Sequence, residues 1–271
     1  MNILDTIIAK KKMEVDQRKH SKSIFDLENM PSFKNEVFSF KDFLLNKKKT
    51  GIIAEFKRKS PSKGIINNSS MVEDVTKDYM KYGASAVSVL TDEEFFGGSL
   101  NDLEEARMND IPVLRKDFII DEWQLIESKA YGADIILLIA ACLEKTRVEI
   151  LSKFAKNLGL NVLLEIHQEN ELEHVCDDVD VVGINNRDLK NFKVDLNHSV
   201  ELCKKIPLDK IKISESGIDD VKTIHFLKRN GFDGFLIGEK FMKEKNPGEA
   251  FADFVKDLKN FDNTNSAHRF H

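Results

Sequence analysis

Eight short apolar runs, separated by stretches with helical periodicity, predict a (βα)8 barrel (TIM barrel) with an N-terminal helical extension. Three observations carry that reading. The runs are near-continuous in Val, Ile, Leu and Ala, the composition of parallel strands covered on both faces. A glycine closes several helical stretches just before the next run, at Gly83-Ala84, Gly132-Ala133 and Gly231-Phe232, so one helix–Gly–strand unit recurs. No G-x-G-x-x-G follows a strand, as an open nucleotide-binding sheet would require.

Taken in order, residues 1–50 precede the first strand. Leu4, Ile7, Ile8 and Val15 have amphipathic helical spacing, and Phe33, Phe38, Phe40 and Phe43 form a dense aromatic group. These residues read as an extension packed on the barrel, with a share in the substrate pocket as the sharper alternative. The strands are expected at Ile52–Phe56, Ala86–Thr91, Pro112–Asp117, Asp134–Ile139, Asn161–Ile166, Asp180–Asn185, Lys210–Ser216 and Gly234–Glu239. Between the first two, Ser70-x-x-Glu73 has the spacing of a capping box, Val72, Val75 and Tyr79 mark one helical face, and Gly83 is the stop. Val148, Leu151, Ala155 and Leu158 form another stripe, closed by Gly159. The last helix opens at Asn246-Pro247, with Pro at its first position, and carries Ala250, Phe251, Phe254, Val255 and Leu258. No composition break divides residues 51–260, which read as one barrel domain; the polar residues 261–271 are expected to form a flexible, frayed tail.

At 271 residues, 41% hydrophobic and 32% charged, the chain has enough apolar residue for a sizeable core. Its net charge of −5 argues against a general nucleic-acid binder, and the clusters Lys10–Lys12 and Lys47–Lys49 read as solvated faces. Cys142, Cys176 and Cys203 are widely spaced, so neither a disulfide framework nor a zinc site is indicated and free thiols in a reducing compartment are expected. Residues Met1–Lys12 lack the apolar core of a secretion signal, and the run Ile135–Leu143 is too short to span a bilayer. A cytoplasmic enzyme without membrane contact is the expectation.

In such barrels the chemistry sits at the C-terminal ends of the strands. There the sequence places Glu55 and Lys57, two apart and therefore on one face of the first strand. Ser60-Pro61-Ser62-Lys63-Gly64 follows. The second strand ends at Thr91-Asp92 and runs into Phe95-Phe96-Gly97-Gly98-Ser99. The third contributes Lys116 and Phe118, the fifth Glu165, and the sixth Asn185 with Arg187 beyond. The seventh brings Glu215-Ser216-Gly217 and the eighth Gly238-Glu239; the fourth, ending in Ala140-Ala141, offers wall only. Single charged residues here could be loop surface, but five strands each ending in Lys, Glu or Asn are harder to dismiss. Mixed lysines and carboxylates disfavour a divalent cation. His167 and His174 lack matching ligand partners and read as surface residues. Ser216, Gly217 and Gly238 suit phosphate binding, because glycines let the backbone approach the oxygens; the Glu239 carboxylate would repel phosphate unless it points away.

The stretch Ile53-Ala54-Glu55-Phe56-Lys57-Arg58-Lys59-Ser60-Pro61-Ser62-Lys63-Gly64 resembles the first-strand signature of indole-3-glycerol phosphate synthases. So do Ser88–Asp92, Phe95–Ser99, Leu114-Arg115-Lys116-Asp117-Phe118, Leu164-Glu165-Ile166-His167, Gly183–Leu189 and Ser214–Ile218, in the family's order. The resemblance implies ring closure of 1-(2-carboxyphenylamino)-1-deoxyribulose 5-phosphate to indole-3-glycerol phosphate, with loss of carbon dioxide and water, in tryptophan biosynthesis. It implies Lys116 as the general acid at the ketone, with its pKa lowered by Lys57. Lys57 would clamp the anthranilate carboxylate and share the acid's work, and Glu165 would serve the dehydration. Glu55 and Asn185 would orient the lysines and substrate hydroxyls, with Glu215 as a polar neighbour. Ser60, Gly217 and Gly238 would take the phosphate, with Ser216 at the same mouth and Arg187 and Glu239 beside it; Phe96 and Phe118 would wall the aromatic ring. No cofactor or metal is implied. The partners implied are the small phosphorylated substrate and, for a monomer or weak homo-oligomer, other tryptophan-pathway enzymes.

Three rivals remain open to the sequence. The isomerase that makes this substrate, phosphoribosylanthranilate isomerase, would carry a Cys where the first strand ends in Glu55 and Lys57. A Schiff-base aldolase would use Lys116 as nucleophile, and a non-catalytic phosphometabolite-binding barrel would not need Lys57, Lys116 and Glu165 together.

Overall fold

The computed structural model describes residues 3–188 and 193–267; residues 1–2, Leu189 of the Gly183–Leu189 motif and 268–271 of the expected tail lie outside the described residues. Eight parallel strands close into a barrel, each paired with the next and the eighth with the first. They are β1 (Ile52–Phe56), β2 (Ala86–Leu90), β3 (Val113–Lys116), β4 (Ile135–Ile139), β5 (Asn161–Ile166), β6 (Val181–Asn185), β7 (Ile211–Glu215) and β8 (Gly234–Ile237). These bounds differ from those expected by at most two residues. A short hairpin, Lys59–Ser60 against Gly64–Ile65, follows β1.

Side-chain alternation sorts the strands into two cores. Outward-facing Ile52, Ala54, Val87, Val89, Val113, Ile136, Val162, Val182 and Phe235 pack against the surrounding helices. Inward-facing Ile53, Ala86, Leu114, Ile135, Leu163, Val181, Ile211 and Ile213 fill the barrel together with Phe40 and Leu44, from the short helix Phe40–Leu44. Each large side chain so buried contributes about 1.5–3 kcal/mol. Two residues further along the same inner face, Ile53 gives way to Glu55, Leu114 to Lys116, Leu163 to Glu165 and Ile213 to Glu215. The strands themselves therefore carry the interior from an apolar floor to a charged mouth.

The N-terminal helix Ile3–Ser21 lies over that mouth, burying Ile7, Lys11 and Val15 at successive four-residue intervals. Lys11 corrects the reading of Lys10–Lys12 as a solvated face. Its side chain is 1% exposed, and its Nζ lies 2.9 Å from both Asp92 and Asp117 and 2.8 Å from Glu14. A lysine on the apolar stripe can be buried only because the strand-end loops supply its counter-charges.

Helix termini show two further differences. The capping box at Ser70 and Glu73 does not form: the helix begins at Val72, with Met71 as an N-cap that makes no side-chain bond. Asn67 Oδ1 instead accepts from the Ser69 and Ser70 amides, turning the chain so that it enters the helix one residue later. The last helix, Pro247–Ala267, continues through most of the segment expected to fray. There Phe261 packs on His225 with ring centroids 4.4 Å apart, and Asp262 Oδ1 lies 2.9 Å from His225 Nε2. No described helix is long and apolar enough to cross a membrane. The cysteines are free, Cys203 buried and the other two half-buried.

Candidate active site

At the C-terminal mouth of the barrel, Lys116 at the end of β3 reaches across to β5 and β7. Its Nζ is 2.9 Å from Glu165 Oε2 and 2.6 Å from Glu215 Oε2. Asn185, ending β6 between those two strands, donates from Nδ2 to Glu165 Oε1 at 3.0 Å. Just past β1, Lys57 pairs with that strand's Glu55 at 2.6 Å, the contact that their two-residue spacing predicts. Asn185 Oδ1 in turn accepts from the Arg187 amide at 3.0 Å.

The electrostatics correct one expectation. Burial alone would depress the Lys116 ammonium, but the carboxylates of Glu165, Glu215 and Glu55 outweigh it and raise Lys116 above the ordinary lysine value. The anticipated lowering by Lys57 fails because Lys57 is paired with Glu55, while Glu165 and Glu215 both contact Lys116 directly. Burial also acts against ionised Glu165, but Lys116, His167 and Asn185 reverse it and hold that carboxyl well below the usual range. Glu215 goes the other way: burial, reinforced by Glu165, pushes it up to about 7 against the pull of Lys116. Two carboxylates on one ammonium cannot both profit fully from it, so the pair readily loses one proton and retains the other. In keeping with that, Glu215 Oε1 is buried without a hydrogen-bond partner.

These groups line a cavity of about 420 Å³ with chemically distinct sides. Phe96 and Phe118, with ring centroids 6.2 Å apart, form an apolar wall beside Leu137 and Ile139. Ile3, Leu4 and Ile7 of the N-terminal helix also line the cavity, so the extension does contribute to the pocket. Elsewhere on its rim lie Ser60, Ser216, Gly217, Gly238, Arg187 and Glu239. Ser216 and Gly217 both adopt positive φ, 70° and 68°, and the serine pays a strain that such a turn tolerates at functional positions. Glu239 does not turn away from the mouth: it faces Arg187 at 3.5 Å and Lys63 at 3.6 Å. All the sequence-derived site residues thus converge on one cavity.

Several contributors escaped the sequence reading. Arg115, whose side chain is 0% exposed, sits on the outer face of β3 and binds Asp117 at 3.0 Å and Glu127 at 2.9 Å, with Thr91 Oγ1 accepting from its Nε at 3.1 Å. It fixes the strand end that presents Lys116 and Phe118; the only signal was a charged residue on the outer face of an otherwise apolar strand. Gly183 had no signal beyond opening the Gly183–Leu189 motif: a Cβ there would lie 2.2 Å from Glu215 Oε1, so its missing side chain is the space Glu215 occupies. His167 and His174, read as surface, are buried at 5% and 8% exposure. The turn after β5 folds both inward, His174 facing the Leu143 carbonyl at 3.0 Å and His167 lying 3.2 Å from Glu165. Among the described residues no group of His, Cys, Asp and Glu could hold a metal ion.

A family model described as indole-3-glycerol phosphate synthase matches residues 4–254. The chain is 47% identical over 258 residues to an indole-3-glycerol phosphate synthase of Bacteroides thetaiotaomicron, covering 94% of this chain and 98% of that one. It is 43% identical to one from Nautilia profundicola, covering 90% and 95%. Among solved structures, a tryptophan synthase α-subunit from Legionella pneumophila superposes with a TM-score of 0.60 at 13% identity, covering 82% of this chain and 97% of that one. A 3-hexulose-6-phosphate synthase does so with 0.60 at 14% identity, covering 77% and 98%. Those two likenesses establish the barrel alone, whereas the sequence relatives, aligned along nearly their whole length, establish kinship: the chain belongs to the indole-3-glycerol phosphate synthase family.

Proposed function

We propose that the protein closes the pyrrole ring of 1-(2-carboxyphenylamino)-1-deoxyribulose 5-phosphate, releasing carbon dioxide and water to give indole-3-glycerol phosphate. The observation that carries the residue assignments is Lys116 held between Glu165 and Glu215 inside a cavity that also presents Lys57 and the Phe96–Phe118 wall. Lys57 binds the anthranilate carboxylate while Lys116 polarises the ketone oxygen. As the ring carbon bearing the carboxylate attacks the ketone carbon, Lys116 protonates the oxygen. Decarboxylation restores aromaticity, and the new hydroxyl then leaves as water, with Glu165 moving the proton that this elimination requires. Glu55 and Asn185 hold Lys57 and Glu165 in register, and Glu215 carries the retained proton beside Lys116.

Ser60, Ser216, Gly217, Gly238 and Arg187 take the phosphate; Glu239 steers Arg187 and Lys63 toward that end of the cavity. The chemistry asks for a general acid, a carboxylate clamp and an anion site, all of which side chains and backbone amides can supply. We place the enzyme in the cytoplasm, as a monomer or weak homo-oligomer open to association with other tryptophan-pathway enzymes. The test is direct: purified protein mixed with the carboxyphenylamino substrate develops indole fluorescence. Its absence at high enzyme concentration overturns the assignment.

A further inference from the structure

His167 directly follows β5, and neither of its ring nitrogens has solvent contact or a well-formed hydrogen bond among the described residues. Its surroundings are nevertheless strongly polar. Nε2 lies 3.2 Å from Glu165 Oε1, the oxygen that also accepts from Asn185, while Lys116 occupies Oε2 on the other side. Nδ1 lies 3.8 Å from Glu171 Oε2, a carboxylate pinned by the backbone amides of His167 and Gln168 in the turn Glu169–His174. From helix Leu196–Cys203, His198 Nε2 contacts the His167 carbonyl at 2.9 Å and so fixes the backbone from which the imidazole projects. A buried imidazole whose two nitrogens face carboxylates is out of place in a packing role, which would leave those polar atoms desolvated with nothing gained.

We infer that His167 is a positioning residue for Glu165, and that its Nε2 takes the Glu165 proton and hands it back within each cycle, so that the proton does not cross the substrate pocket. The inference rests on the proposed role of Glu165 in dehydration. Elimination of water demands that Glu165 both take up and release a proton in each cycle, and the pocket side of Glu165 is already occupied by Lys116 and Asn185. The imidazole is the one neighbour that can accept on one nitrogen while donating from the other. Burial opposes charge on it, but Glu165, Glu171 and Glu215 outweigh burial and raise its pKa above the ordinary histidine value. The other titratable groups around it are Lys116, on the far side of Glu165, and the Cys142 thiol after β4, which burial, Glu165 and Glu171 push up and keep neutral.

The test compares His167→Asn, Glu171→Gln and Glu165→Gln in steady state, with the imidazole followed by NMR on histidine-labelled protein. We expect His167→Asn to lower kcat by between about 10- and 100-fold, the scale of a misplaced catalytic group, with KM within twofold. The variant should also flatten the basic limb of the pH–kcat profile. In the wild type the His167 resonance should titrate above the ordinary histidine range, and Glu171→Gln should shift that titration down while its activity retains a folded enzyme's KM. If Glu165→Gln is inactive but His167→Asn keeps both kcat and pH profile, the inference is overturned while the role of Glu165 stands. A fully active Glu165→Gln enzyme overturns both. Should His167→Asn fail to fold, the NMR arm decides: a wild-type imidazole that stays neutral from pH 5 to 9 and ignores Glu171→Gln also overturns the proposal.

Discussion

Replacing Lys11 by Met tests whether the N-terminal helix is clamped to the barrel by charge. The methionine preserves the length and apolar stem of the side chain and removes only the ammonium. Lys11, Asp92 and Asp117 have side-chain exposures of 1%, 3% and 0%, so solvent cannot replace the lost cation. Breaking a buried pair in this way costs about 3–5 kcal/mol. Asp117 keeps Arg115 at 3.0 Å and the Phe118 amide at 2.8 Å, and Asp92 keeps the Phe95 amide at 2.7 Å, which moves the expectation to the lower end, about 3 kcal/mol. The half-exposed Glu14 adds little. The single tryptophan, Trp123, packs with Val15 and Leu27 under the extension, so its emission reports on whether the helix is docked. Urea titration followed by Trp123 should show the midpoint falling with the slope unchanged. Asp117 is held below the ordinary aspartate range despite its burial, chiefly by Lys11 and Arg115. A depressed carboxyl contributes stability above its unfolded pKa, near 3.8, and loses it as pH falls through the folded value, so the variant's deficit should be full at neutral pH and shrink on acidification. A loss below about 0.5 kcal/mol at pH 7, within the range of an ordinary surface substitution, would refute the clamp.

Three further outcomes follow from the site. Lys116→Met should lower kcat by about 10²–10⁴, the usual worth of a positioned acid, in the indole fluorescence assay; an unchanged rate would transfer that role to Lys57. Gly183→Ala places a Cβ 2.2 Å from Glu215 Oε1, so kcat should fall up to about 100-fold while thermal unfolding shifts only modestly, and an unaffected kcat would separate Glu215 from the chemistry. For Glu215→Gln the pH dependence of stability is diagnostic. Because the Glu215 carboxyl is raised to about 7 from 4.5, its contribution is fully present below about pH 4.5 and is lost as pH rises through 7. The stability advantage of wild type over Glu215→Gln should therefore narrow between pH 5 and 8 in denaturation curves, and a widening gap would reverse the sign assigned here.

The barrel could be read from the sequence because each strand is buried on both faces, which leaves continuous apolar runs between amphipathic helices. The candidate set at the barrel mouth could be read because the period-two alternation that carries Leu163 inward must also carry Glu165 inward, and likewise Leu114 with Lys116 and Ile213 with Glu215. What escaped depends on contacts far apart in sequence. Helical spacing puts Lys11, unlike Lys10 and Lys12, on the stripe of Ile7 and Val15, but only the arrival of Asp92 and Asp117 from two strand ends lets a charge be buried there. Gly183 is silent for the same reason, since its significance is the volume of a side chain on the next strand. The capping box failed because Asn67, three residues upstream of Ser70, captured the amides first, a competition that spacing alone does not rank.

The raised pKa of Lys116 changes what an acid must do here. An ammonium stabilised by Glu165 and Glu215 is a poor proton donor by strength alone, yet it is a fixed positive charge, and such pre-oriented charge is the largest source of stabilisation for a developing oxyanion. Transfer becomes favourable when the carboxylate charge around it decreases, because each neutralised carboxylate removes part of what holds the proton on nitrogen. Glu215, at about 7, takes up a proton near neutrality and does this most readily. Glu165, held low by Lys116, His167 and Asn185, stays ionised and available as a base. Opposite environments on two strands that flank β6 thus divide two chemically identical side chains: in the proposed mechanism β5's glutamate accepts protons while β7's sets the acidity of the lysine between them.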